Sequence, residues 1–96
     1  RNSKIVDIVN ELKSFSVNVE VVDAYADADE VYEEYGFHLT DKIGTGYDGV
    51  ILAVSHEEYK NKTEQWFVDM CSTNSFLLDL KGLYRNEIKN MEYWSL

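Results

Sequence analysis

The sequence has 96 residues and a mass of 11.2 kDa, 45% of them hydrophobic and 14% aromatic, which is enough apolar area for one small folded domain spanning 1–96 and excludes both wholesale disorder and a second domain. Nine Lys and Arg against eighteen Asp and Glu give a net charge of -9, a balance that repels a phosphate backbone and makes nucleic acid an unsuitable partner. No apolar run approaches the roughly 18 to 20 residues of a membrane span and no signal peptide is recognisable, so no membrane association is expected; a single cysteine, Cys71, fits a reducing cytoplasm.

Ile5, Ile8, Val9 and Leu12 recur at helical spacing, which predicts an amphipathic helix from Asn2 to about Phe15. The β-branched cluster Val17, Val19, Val21 and Val22 predicts a strand ending at Asp23. From Asp27 to Tyr35 the apolar Ala28, Val31, Tyr32 and Tyr35 oppose four acidic residues, the pattern of a short surface helix closed by Gly36. A brief strand could follow at 37–39, and the glycine-rich stretch after it has loop composition.

Val50 to Val54 is a continuous apolar run, the signature of a strand covered on both faces and the best candidate for a central parallel strand. Helical segments are expected at 56–59 and from Thr63 to Cys71, the second burying Trp66, Phe67 and Met70. Phe76 to Leu80 repeats the buried-strand pattern, and Tyr93 to Leu96 could add a short edge strand. Alternating helices and strands imply an α/β fold, a three-layer Rossmann-like parallel sheet. Such a fold should open with a strand, yet the sequence starts on a helix; the expectation is a piece of a larger protein whose first strand lies upstream, leaving a gap in the sheet that another chain or further residues would fill.

Ligands of open α/β sheets gather at the carboxyl ends of the strands. That rule nominates Asp23, Ser55, His56, Asp79, Lys81 and Gly82. Lys81 stands out as a cation just past a buried strand in an acidic chain, suited to an anionic ligand, with a solvated lysine as the other reading. His56 could donate a hydrogen bond to substrate or act as a base, but a capping or packing role is the commoner use. Gly44 to Gly49, GTGYDG, lacks the Lys-Ser/Thr of a phosphate loop and precedes a strand, so it reads as an ordinary loop. Cys71, the only cysteine, can close no intrachain disulfide and reads as an inert buried thiol; no Cys/His cluster has zinc-ligand spacing. No catalytic constellation and no metal site can be assembled from the residues.

Five segments in order, RNSKIVDIVNELK (1–13), VEVVDAYAD (19–27), YDGVILAVSHEEY (47–59), LLDLKGLY (77–84) and the closing YWSL, resemble the C-terminal UDP-binding domain of the UDP-glucose/GDP-mannose dehydrogenase family. The flavour is that of bacterial members that oxidise UDP-N-acetylhexosamines, such as UDP-N-acetyl-mannosamine dehydrogenase. The resemblance implies a longer NAD-dependent enzyme with an N-terminal NAD-binding Rossmann domain, forming a homo-oligomer. It would oxidise the C6 alcohol of a UDP-sugar twice, to a uronic acid for surface polysaccharide synthesis. The nucleophilic cysteine and the T-F-K substrate lysine would belong to segments outside this sequence, so the 96 residues alone should be inert. Arg1 takes the place of the arginine in D-x-R-x-S that reaches NAD, and Lys81 that of the basic residue in D-x-K-G that contacts the UDP-sugar. Ala24 stands where the family often has proline and Ser55 where alanine is usual. The reading from a different class is a free-standing acidic α/β interaction module.

Overall fold

The computed structural model describes residues 3–96 and divides into two units, Arg1–Ile43 and Gly44–Leu96. In the first, helix α1 spans Ser3–Ser14 and helix α2 spans Ala28–Tyr35. The apolar stripe predicted from spacing turns Val9 into a small core with Val31 and Phe37, flanked by Val6, Val19, Val21 and Leu39. Asp27 caps α2, its Oδ1 accepting from the amides of Asp29 and Glu30 at 2.9 and 3.1 Å. Gly36 ends it in the left-handed region at φ 81°, where a side chain would be strained.

The segment 17–22 corrects the sequence reading: it forms no strand ladder. The Val17 amide donates to Leu12 O at 3.3 Å and the Thr40 amide to Val21 O at 2.7 Å, isolated bonds and not a ladder. Valine content gives a segment that suits a sheet, but a strand exists only where a partner lies alongside, and here Val19 and Val21 are used as packing for the Val9 core. The brief strand expected at 37–39 is likewise absent.

The second unit carries the sheet. Strands β1 (Tyr47–Leu52), β2 (Cys71–Asp79) and β3 (Glu92–Ser95) pair in the order β1-β2-β3, all parallel. The parallel pairing of the two apolar runs and the inner place of the FLLDL run agree with the sequence, but the place of the VILAV run does not. Among the described residues the VILAV run lies in an edge strand that stops at Leu52, and the FLLDL run lies in the central one. Apart from Asp79 both runs are apolar, and composition cannot rank two such strands by position. The edge strand expected at the C-terminal end is β3.

Between β1 and β2 the chain makes a one-turn 3-10 helix, Glu57–Tyr59, and helix α3, Glu64–Met70. Thr63 caps α3, its Oγ1 accepting from the Trp66 amide at 3.2 Å, and the helix passes into β2 without a loop. Side chains alternate across a strand, so Val50, Leu52, Leu77, Asp79 and Tyr93 share one face of the sheet. Phe67 and Met70 of α3 cover that face, with Tyr59 and Tyr84 beside them. Leu77 is fully buried, and its truncation to alanine belongs to the class of core losses costing about 2 to 5 kcal/mol. Phe76 and Trp94 point to the other face and stay exposed.

Candidate functional site

Register brings the carboxyl ends of the strands into one row. Leu52 of β1 pairs with Asp79 of β2, and Asp79 with Ser95 of β3; just beyond, the Leu80 amide donates to Leu52 O at 3.0 Å. The turn that follows is set by Asp79. Its backbone carbonyl accepts from the Gly82 amide at 3.2 Å, and its buried Oδ2 accepts from the Tyr84 amide at 2.8 Å and from the Tyr93 hydroxyl at 2.7 Å. The side-chain bonds run from strand end to turn and to the neighbouring strand, so one carboxylate fixes the path of residues 80–84. Asp79 Oδ1 is buried and has no hydrogen-bond partner among the described residues.

Tyr84 anchors the far side of the turn. Its ring packs edge-on to Phe67 with centroids 5.3 Å apart; its hydroxyl donates to Tyr59 O and accepts from the Lys62 amide at 3.0 Å. Burial pushes the Tyr84 phenol above its ordinary pKa. Burial, followed by the hydrogen bond to Asp79, pushes that of Tyr93 up to about 12.

On this rigid base Lys81 is exposed and, among the described residues, makes no ion pair or hydrogen bond. Gly82 adopts φ 66°, in the left-handed region. Arg85 is exposed as well. Its Nε donates to Ser95 Oγ at 3.2 Å and its Nη2 to the backbone oxygen of Leu96. Of the residues nominated from the sequence, Asp79, Lys81 and Gly82 meet in this turn. Ser55 and His56 follow β1, Ser55 exposed and His56 half-buried at the start of the 3-10 helix, where its side chain makes no capping bond.

Asp23 belongs to the first unit and ends no strand; its Oδ1 accepts from the Tyr25 amide at 2.9 Å, an Asx turn. Arg1, expected to reach NAD, lies outside the described residues. Cys71 is half-buried where α3 gives way to β2. Within GTGYDG, the Gly44 amide donates to the Tyr47 hydroxyl at 2.7 Å and Tyr47 already begins β1. Among the described residues no group of three or more His, Cys, Asp or Glu is placed to hold a metal ion, and no helix is long and apolar enough to cross a membrane.

Sequence reasoning missed Tyr84, Tyr93 and Arg85. Tyrosines in a polar tail carry no local pattern, and their partner lies 5 and 14 residues away along the chain.

A parallel α/β sheet with a cation and a glycine in the turn after its central strand has the layout of a nucleotide-binding domain. Residues 1–86 match the family model described as "UDP-glucose/GDP-mannose dehydrogenase family, UDP binding domain". The chain therefore belongs to the UDP-glucose/GDP-mannose dehydrogenase family. It is 39% identical over 84 residues to a UDP-N-acetyl-D-glucosamine 6-dehydrogenase of Pseudomonas aeruginosa, covering 86% of this chain and 20% of that protein. A protein of the same name from Salmonella typhi is 34% identical over 82 residues, 84% of this chain and 19% of the relative. Protein CapL of Staphylococcus aureus is 32% identical over 93 residues, 95% of this chain and 22% of the relative. The chain thus spans about a fifth of the length of these relatives. No solved structure matches it.

Proposed function

We propose that residues 1–96 form the UDP-sugar-binding domain of an NAD-dependent dehydrogenase that oxidises C6 of a UDP-N-acetylhexosamine to the uronic acid, a step suited to surface polysaccharide synthesis. The observation that carries this reading is the match of residues 1–86 to the UDP binding domain of the family. The names of the two dehydrogenase relatives favour the N-acetylglucosamine epimer over N-acetylmannosamine as the sugar. NAD would accept the hydride in a part of the protein beyond this chain, whose sequence carries no glycine-rich dinucleotide fingerprint. The family match leaves the free-standing interaction module without an observation of its own.

The role of this domain is to hold the nucleotide. Lys81, unpaired among the described residues at the carboxyl end of the central strand, offers its ammonium to the phosphates of UDP, and Asp79 keeps the turn in place beneath it. A charge-assisted hydrogen bond of this kind contributes about 1.5 to 3 kcal/mol. The family resemblance carries with it a cytoplasmic, homo-oligomeric enzyme with an NAD-binding domain in the same polypeptide; the excess of acidic residues argues against nucleic acid as a partner.

The test uses the whole polypeptide that contains this sequence. NADH formation is followed with UDP-N-acetylglucosamine, UDP-N-acetylmannosamine and UDP-glucose, in wild type and Lys81→Ala. Turnover of an N-acetylhexosamine, with a Michaelis constant raised about tenfold or more by the substitution, is the expected result. Absence of UDP binding and of turnover on all three sugars would overturn the reading. An unchanged Michaelis constant and turnover in the variant would remove Lys81 from the site.

A further inference from the structure

We propose that Arg85 is a second phosphate-binding residue, completing with Lys81 a two-cation site for the diphosphate of a nucleoside diphosphate; this inference rests on the UDP-binding reading above. The argument begins at Gly82. A Cβ built on Gly82 would lie 2.6 Å from the Arg85 Cζ and 2.8 Å from its Nη2, so the guanidinium lies against the backbone of the residue next to Lys81. Only a glycine leaves room for it there.

The guanidinium is also held from the other side. Nε bonds Ser95 Oγ, and Nη2 bonds the backbone oxygen of Leu96. Both acceptors are at the end of β3, in the row of strand ends where this fold places ligands. An Arg has five N–H donors in a planar fork. Two are used in these bonds, and the Nη1 edge remains for a phosphoryl group. Among the described residues no Asp or Glu side chain pairs with Arg85, in a chain where acidic residues outnumber basic ones two to one.

The two cations suit different tasks. The ammonium of Lys81 is a flexible point charge, whereas the anchored fork of Arg85 can take two oxygens of one phosphoryl group and fix its orientation. A diphosphate presents two adjacent anionic groups, and two cations on one turn match them better than one.

The test is calorimetric titration of the whole polypeptide with UDP and, as a probe without phosphate, uridine. Arg85→Gln should weaken UDP binding about tenfold and leave uridine binding and the unfolding midpoint unchanged. Arg85→Lys, which keeps the charge but not the fork, should recover only part of the loss. Ser95→Ala, which frees one side of the guanidinium, guards against a misfolded Arg85 variant and should weaken UDP binding by a smaller factor. Unchanged UDP affinity in Arg85→Gln, with affinity lost in Lys81→Ala, would overturn this inference and leave the UDP-binding reading standing. Equal losses for UDP and uridine would also overturn it, since they mark a structural role. No UDP binding by the wild type would sink both.

Discussion

Asp79 Oδ2 accepts the hydroxyl hydrogen of Tyr93 at 2.7 Å, and the same oxygen accepts the Tyr84 amide at 2.8 Å. A buried carboxylate is costly unless its charge is met by donors, and here both donors come from the chain that follows β2. The strand end, the turn and β3 are thereby tied to a single atom.

Removing the tyrosine hydroxyl should be felt in stability and in alkaline titration. Tyr93→Phe leaves the buried carboxylate with one donor fewer, a loss of about 1.5 to 3 kcal/mol for a bond to a charged group. Tyr93 titrates near 12 when folded, against an ordinary 10. Its contribution is therefore complete below pH 10 and lost as pH rises toward 12, because the unfolded chain releases this proton first. Ultraviolet difference titration checks it. Among the seven tyrosines, Tyr84 and Tyr93 should both ionise late in the wild type, and the later part of that titration should shrink by one phenol in Tyr93→Phe. An unaltered titration curve would show that another group provides it.

Asp79 itself separates two ways of losing the clamp. Asp79→Ala strands two donors, at about 1 to 3 kcal/mol each, and should lower the denaturant midpoint clearly. Asp79→Asn keeps one oxygen able to accept from both Tyr84 and Tyr93 and should lose less. Chemical denaturation of the two variants measures the difference. Equal destabilisation would mean that the negative charge, not the acceptor geometry, holds the turn.

The contrast between Lys81 and this clamp shows what the sequence carries. The place of Lys81 just past a strand was legible because a buried apolar run announces a strand. The helix of 28–35 was legible because its apolar residues oppose acidic ones at helical spacing and Gly36 is a local stop signal that needs no tertiary partner. The valines at 17–22 misled because a strand is a relation between two segments, and valine also packs well outside a sheet. The edge place of the VILAV run among the described residues, where a central one was expected, has the same origin. The Asp79, Tyr84 and Tyr93 set was hidden because hydrogen bonds across 5 to 14 residues leave no period in the sequence.

Gly49 is a second place where a missing side chain makes room. It pairs directly with Phe76 across β1 and β2, and a Cβ there would come within 2.2 Å of the ring Cζ. The ring is partly exposed and can swing aside, so the cost of Gly49→Ala should be about 1 to 2 kcal/mol and not prohibitive. Gly49→Ala combined with Phe76→Ala should recover much of that loss relative to Phe76→Ala alone, since the obstructing ring is gone. Additive losses in thermal unfolding would place the strain in the backbone instead.

Acid stability should depend on Glu64. Its carboxylate, in the first turn of α3, accepts from the backbone amides of Lys89 and Met91 at 3.1 and 3.0 Å and from that of Asn90 at 2.7 Å. These three residues lead directly into β3, so one side chain sets the approach of the last strand to the sheet. The hydrogen bond from the Asn90 amide, then that from Lys89, holds the Glu64 pKa below its ordinary 4.5. A lowered folded pKa means that the stabilisation is fully present above 4.5 and is lost as pH falls through the folded value, where the carboxylate takes up a proton and can no longer accept at every site. Glu64→Gln should therefore be less stable than wild type at neutral pH, with the gap narrowing as pH falls below 4.5. Denaturant unfolding at a series of pH values measures that gap. A gap that stays constant through the acid range would show that the carboxylate's charge plays no part in holding residues 89–91.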